Sequence, residues 1–120
     1  WVIKSLKNKR EIFVVNDQFG NPIWSVDLAK IIFQLIKEGK RGIFNVGTDK
    51  IISRYEFAKM IAAEWKLDSN LIKPITTNAL KEANINYIAP RPLKSGLVIG
   101  DEFSKISLKN SLVFLKKNKI

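Results

Sequence analysis

The stretch from Val14 to Ile32 reads VVNDQFGNPIWSVDLAKII, and its character changes twice. Its first residues close REIFVVND (10–17), a run rich in β-branched and aromatic side chains that ends in turn formers and predicts a strand. Gly20, Asn21 and Pro22 then follow one another, which predicts an irregular loop through DQFGNPIW (17–24). Beyond it the spacing turns helical. Ser25 is placed to cap, Asp27 lies in the first turn where the helix dipole favours an anion, and Gly39 fits just past the end. Val26, Leu28, Ala29, Ile31, Ile32, Phe33, Leu35 and Ile36 cover most of the circumference, so this helix is expected to be buried on more than one side. Strand, loop and helix in that order are the building unit of an α/β protein.

The rest of the chain continues the alternation. GIFNVG (42–47) predicts a short strand between glycines. Ser53 and Glu56 have the spacing of a capping box, in which the hydroxyl accepts from the backbone N–H of Glu56 and the carboxylate from that of Ser53; a helix should start at Arg54. Phe57, Ala58, Ile61, Ala62 and Trp65 then mark one buried face. LIKPI (71–75) predicts a strand, NALKEAN (78–84) a short helix, and APRPLKSG (89–96) a loop stiffened by Pro90 and Pro92 and released by Gly96. SLKNSLVFLKKNKI (107–120) predicts a last helix with Leu108, Leu112, Val113 and Leu115 inward and a lysine-rich end that suits the dipole. The reading is one α/β unit over residues 1–120, short strands alternating with helices, with no internal repeat.

Composition narrows the function. In a chain of 120 residues, 46% apolar side chains suffice for one core. No run of eighteen apolar residues occurs, and the densest stretch, VDLAKIIFQLI (26–36), is interrupted by Lys30 and Gln34, which argues against a membrane partner. With no secretory pattern, a cytoplasmic protein is expected. The absence of cysteine excludes a disulfide framework, and the absence of histidine leaves little room for a metal site or for imidazole acid–base chemistry. A chain opening on Trp1, with its one methionine at Met60, is expected to be part of a longer translation product. The net charge of +10 invites a nucleic-acid reading, but the lysines are scattered and arginine occurs only at Arg10, Arg41, Arg54 and Arg91; no specific nucleic-acid partner is expected.

SRYEFAK (53–59) holds Tyr55 and Lys59 in the Tyr-x-x-x-Lys spacing by which short-chain dehydrogenases activate a catalytic tyrosine. That chemistry also needs a glycine-rich phosphate loop, and none occurs here; Gly42 and Gly47 only flank the expected strand. The reading is therefore that Tyr55 packs or caps the first helical turn while Lys59 is solvated.

Taken in order, VVNDQFGNPIWSVDLAKII, GIFNVGTDKIISRYEFAKMIA (42–62) and APRPLKSGL (89–97) resemble the C-terminal portion of the dTDP-4-dehydrorhamnose reductase family, within the extended short-chain dehydrogenases. The shared blocks are a strand ending in Asp-Gln, a Gly-x-Pro loop, an Asp-Leu-Ala helix, a Gly-Ile-Phe strand, a Ser-x-Tyr-Glu-Phe-Ala helix and an Arg-Pro-x-x-Ser segment. The resemblance implies a substrate-binding lobe that lacks the Rossmann dinucleotide-binding core, with no catalytic or cofactor-binding residue in this chain. In that alignment the family's catalytic Tyr-x-x-x-Lys precedes Trp1 and SRYEFAK falls on a substrate-domain helix. Full-length relatives reduce a keto group of a nucleotide-activated deoxysugar with NADP or NAD as cofactor. The alternatives are a non-catalytic binding or regulatory subunit on the same lobe, or a sugar-nucleotide epimerase or dehydratase.

The implied partner is a nucleotide-sugar substrate, and four residues are candidates to bind it. Arg91, between two prolines, suits a charge-assisted contact with a diphosphate; otherwise it caps a helix or pairs with Asp101 or Glu102. Ser95 could donate to a phosphate or sugar oxygen, or form a turn. Gln18 offers donor and acceptor to a base or sugar edge, or orders its own loop, and Trp24 offers a flat face for stacking, or is core. Asp27 is read as structural. The chain departs from the family where GLVIGDEFSKI (96–106) replaces a Leu-Asp-Thr-Ser-Lys segment and where Ile23 follows Pro22 in place of threonine. The face that normally packs on the dinucleotide domain is expected to be apolar, with homo-oligomer formation through it.

Overall fold

A computed structural model describes residues 1–83, 90–100 and 106–118. Its elements, in chain order, are α1 (Val2–Lys7), β1 (Ile12–Val15), β2 (Phe19–Gly20), α2 (Ser25–Lys37), β3 (Ile52–Ser53), α3 (Arg54–Glu64), a 3-10 turn (Ser69–Leu71), β4 (Ile72–Ile75), α4 (Thr77–Glu82) and α5 (Leu108–Lys117). Strands alternate with helices, as the α/β reading predicts. The chain divides into two compact units, one made of Trp1–Gly20 and Ile52–Ser95, the other of Asn21–Ile51 and Gly96–Ile120.

The first unit is built on the parallel pair β1 and β4, in register from Ile12 opposite Ile72 to Val15 opposite Ile75. A parallel pair needs a long crossover, and α3 lies within it. Ile12, Val14 and Ile72 from the strands, Leu6 from α1, and Ala58 and Ala62 from α3 form the buried core. Small residues on α3 let its backbone approach the sheet closely, and Tyr55, Leu67 and Leu71 close the edges. Pro74 is tolerated because β4 has a single strand neighbour among the described residues and a ladder N–H is dispensable on its other side. The predicted face of α3 is present, with Ala58 and Ala62 fully inside and Phe57, Ile61 and Trp65 half-buried.

Local chemistry sets the helix ends. α3 starts at Arg54 behind the expected capping box: Glu56 N–H donates to Ser53 Oγ at 3.1 Å and Ser53 N–H donates to Glu56 Oε2 at 2.8 Å. It ends in a Schellman turn, with Leu67 N–H donating to the Ala62 carbonyl, which places Lys66 at φ 54 in the left-handed region. α1 closes in the same way through Lys9 at φ 52. This short helix carries no side-chain cap, so nothing local in WVIKSLK announces it.

The second unit holds α2, α5 and the loops between them. Gly39 closes α2 at φ 63, with Lys40 N–H donating to the Leu35 carbonyl, where a glycine is expected. The helix itself begins one residue earlier than a Ser25 cap requires: Trp24 is the N-cap and makes no side-chain bond, so Ser25 is helical. Two further expectations are corrected here. No residue of α2 is buried, and Phe33 and Ile36 are each 71% exposed; within this unit one side of α2 meets α5 through Trp24, Asp27 and Lys30, and no described element of the unit covers the other. Residues 42–47 form no strand either. Ile43 is 97% exposed, and the segment is held by side-chain chemistry instead, Asn45 Nδ2 donating to the Val98 carbonyl at 3.1 Å.

Asn21 organises this unit. Its amide donates to the Thr48 carbonyl at 3.3 Å and accepts from Leu97 N–H at 2.7 Å, which joins the two segments of chain. Gly47 lies so close that a Cβ there would stand 2.8 Å from Asn21 Cβ and 2.9 Å from Ile99 Cδ1. The N-terminus of α5 is tied back by Asp49, whose N–H donates to the Ile106 carbonyl. Leu108 and Leu112 are buried as predicted, with Val113 and Leu115 half-buried. The last residue of the expected helix 78–84 and the last two of 107–120 lie outside the described residues.

Candidate functional site

The constant offset between β1 and β4 carries past the strand ends. Val15 lies opposite Ile75, Asn16 N–H donates to the Ile75 carbonyl, and two residues beyond each strand Asp17 meets Thr77. Open α/β sheets bind ligands outside the carboxyl ends of their strands, where loops leave for the next element. In this unit that position is occupied by a polar network.

The Asp17 carboxylate accepts from Thr77 N–H at 2.9 and 3.1 Å and from the Thr77 hydroxyl at 2.7 Å. Partial burial pushes the Asp17 carboxyl up, but the bonds from the Thr77 hydroxyl, the Thr77 N–H and its own N–H outweigh it and hold the group below the usual carboxylate range. Thr76 caps α4 by accepting from Ala79 N–H, so Thr77 is the first residue of that helix and its N–H is free for Asp17.

Gln18 lies next in the network. It is 7% exposed, its Nε2 donates to Thr77 Oγ1 at 3.0 Å, and its backbone carbonyl accepts from Arg54 N–H at the start of α3. The loop that carries Arg91 is tied to the neighbouring residue. Phe19 N–H donates to the Leu93 carbonyl at 2.7 Å, and the Phe19 carbonyl accepts both Ser95 N–H at 3.1 Å and Ser95 Oγ at 2.7 Å. Gln18 and Ser95 are therefore brought together through Phe19. The Ser95 proton is already used inside the fold, so donation to a ligand requires that bond to break. Arg91 stands on the same loop, exposed and without an ion pair to any described residue; Asp101 and Glu102, its sequence alternatives, lie outside the described residues.

Trp24 belongs to the other unit. Its ring is 5.4 Å from that of Phe114 at 45°, and the Lys30 ammonium lies 5.9 Å from the Phe114 centroid. With Ile31 and Asn110 these residues line a cleft of about 370 Å³, in whose lining Ser111 Oγ donates to Asp27 Oδ2 at 2.6 Å. Asp27 thus ties α2 to α5.

Tyr55 packs against the core of the first unit, and the Lys59 ammonium sits 5.8 Å from its ring centroid, a cation–π geometry. Lys59 is half-buried rather than fully solvated. Among the described residues no three carboxylate, imidazole or thiol groups assemble to hold a metal, and no helix is long and apolar enough to cross a membrane.

Asp17 and Thr77 are the members of this site that sequence reasoning did not single out. The signal lay in the strand ends, since Asp17-Gln18 follows one strand of a parallel pair and Thr76-Thr77 follows the other. Only the register makes them neighbours.

Polar groups gathered at the carboxyl ends of parallel strands, with a proline-stiffened cationic loop tied beside them, mark an α/β ligand-binding lobe. The chain belongs to the RmlD substrate binding domain family, whose model matches residues 1–109. Among similar curated proteins are the spore coat polysaccharide biosynthesis protein SpsK of Bacillus subtilis, 35% identical over 75 residues, and a dTDP-4-keto-6-deoxy-D-glucose reductase of Streptomyces niveus, 32% identical over 76 residues. Each alignment covers 62% of this chain and 26% of the relative, so the chain spans a minor part of those proteins. A solved dTDP-4-dehydrorhamnose reductase of Clostridium acetobutylicum superposes with a TM-score of 0.82 at 29% identity, over 99% of this chain and 42% of that one. One from Bacillus anthracis, solved with NADP, gives 0.80 at 25% identity over the same shares.

Proposed function

We propose that this chain is the substrate-binding portion of an NADP- or NAD-dependent reductase that acts on the keto group of a nucleotide-activated deoxysugar. The observation that carries the reading is the match of nearly the whole chain, in sequence and in fold, to the substrate-binding part of dTDP-sugar reductases. In this reading Arg91 takes the diphosphate, Gln18 meets a base or sugar edge and Ser95 braces the loop that carries Arg91; Trp24, which lies in the other unit, is assigned no place beside them. Binding energy from the nucleotide, remote from the reacting carbonyl, then supports chemistry at the keto group.

The chain's own residues do not fit a dinucleotide cofactor, since no glycine-rich phosphate loop occurs among them. On this reading the cofactor is held by residues outside these, and no hydride-transfer step is assigned to any residue of the chain. Titration calorimetry with thymidine diphosphate tests the reading: saturable binding at one site per chain is expected, and absence of heat at millimolar nucleotide would sink it.

A further inference from the structure

The bonds around Thr77 leave the Gln18 amide a single orientation. An ionised carboxylate only accepts, so the Thr77 hydroxyl proton is directed at Asp17, 2.7 Å away. With that proton committed, Thr77 Oγ1 can only accept on its other side. The Gln18 atom 3.0 Å from it must then be the NH2 group. The choice between amide oxygen and nitrogen, which geometry alone leaves open, is settled here by proton bookkeeping.

The consequence lies at the other end of the amide. Gln18 Oε1 has no hydrogen-bond partner among the described residues. Every buried side-chain oxygen and nitrogen among those residues is partnered, so Oε1 must reach the surface, although Gln18 as a whole is 93% removed from solvent by its 7% exposure. A carbonyl oxygen held rigidly at the rim of a polar network is a built acceptor.

We infer that Gln18 is a polarity-fixed reader, presenting only an acceptor to ligand, and that Asp17 and Thr77 are the positioning residues that fix its polarity. This inference rests on the sugar-nucleotide reading and sharpens it. The ligand must bring an N–H or O–H donor to Gln18. The donors on a thymidine-activated sugar are the imide N–H of the base and the sugar hydroxyls, both the 3′-hydroxyl of the deoxyribose and those of the activated sugar. A ligand edge that offers only acceptors meets an amide that cannot turn without leaving the Thr77 hydroxyl or the Gln18 NH2 unpaired.

The test uses the full chain and two sets of paired probes. Thymidine diphosphate against its N3-methyl analogue reports on the base, and thymidine diphosphoglucose against its 2-, 3-, 4- and 6-deoxy and 3′-deoxy analogues reports on the sugar hydroxyls. In the wild-type protein one pair is expected to differ roughly tenfold in affinity, the usual weight of one well-placed hydrogen bond. Gln18→Leu should erase that difference. Asp17→Asn, nearly isosteric, should erase it as well, because an amide at position 17 can donate to Thr77 and release the Gln18 amide to turn; this variant decides the matter if Gln18→Leu does not fold. A difference that survives either substitution in folded protein, or its absence from every pair in wild type, overturns the inference while leaving the sugar-nucleotide reading in place. Failure of wild type to bind thymidine diphosphate overturns both.

Discussion

Thr77 donates its backbone N–H and its hydroxyl to the carboxylate of Asp17, 60 residues earlier in the chain, at 2.9 and 2.7 Å. This pair joins the end of β1 to the start of α4. It has consequences for stability as well as for binding.

Asp17→Ala should destabilise the fold by about 1–2 kcal/mol, the range for an exposed-side cap or charged hydrogen bond, read from urea unfolding at neutral pH. Its pH dependence follows from the lowered carboxyl. The unfolded chain holds the proton more tightly than the folded one, so the contribution is fully present above about pH 4, the ordinary aspartate value, and is lost as pH falls through the lower folded value. In Asp17→Asn that part of the acid sensitivity should disappear; an identical acid profile would show that the Thr77 bonds do not hold the carboxylate.

Arg91→Ala should weaken thymidine diphosphate binding by roughly tenfold to a hundredfold, the weight of a lost charge-assisted contact, with unfolding unchanged because the side chain is exposed and has no described ionic partner. Calorimetry at low and moderate salt checks this, and unaltered affinity at both would remove Arg91 from the binding residues.

Gly47→Ala should cost about 1–3 kcal/mol, since the added carbon would stand 2.8 Å from Asn21 Cβ and 2.9 Å from Ile99 Cδ1, and Asn21 is held by bonds on both sides of its amide. A loss of stability matched by loss of protection at Leu97 N–H in hydrogen exchange is the expected signature.

Lys66→Gly should stabilise the protein by about 1 kcal/mol, because a lysine at φ 54 bears a steric cost that glycine does not. Thermal unfolding measures it. An unchanged or lower midpoint would mean that the flexibility glycine gives the unfolded chain outweighs the relieved strain.

The 120-residue chain produced alone should self-associate through α2, where Ile32, Phe33 and Ile36 are 48, 71 and 71% exposed on one side of the helix. Phe33→Glu with Ile36→Glu should shift sedimentation toward monomer. Persistence of the larger species in that double variant would place the contact elsewhere.

Much of this architecture is legible in sequence because it depends on neighbours along the chain. The capping box at Ser53 and Glu56 and the glycine after α2 are interactions spanning a few residues, and the β-branched run at Ile12–Val15 and the apolar spacing of α3 are local patterns, all of which capping preferences and periodicity report directly. Gln18, Arg91 and Ser95 could be proposed as candidates from their loops and the family blocks.

What local sequence could not decide were the pairings and coverings. GIFNVG has the composition of a strand, but a strand exists only where another backbone meets its ladder, and here the segment instead reaches the Val98 carbonyl through its own Asn45 side chain. The apolar circumference of α2 shows what the helix can bury, whereas burial needs a covering layer that the unit's described residues do not supply on one side. Asp17 and Thr77 were individually unremarkable polar residues until the parallel register of β1 and β4 set them side by side. Composition and spacing determine which segments form helices and which residues can carry charge or accept a bond; the partner of each bond, and so the polarity that Gln18 presents, was decided only when distant segments packed and each proton had a single place to go.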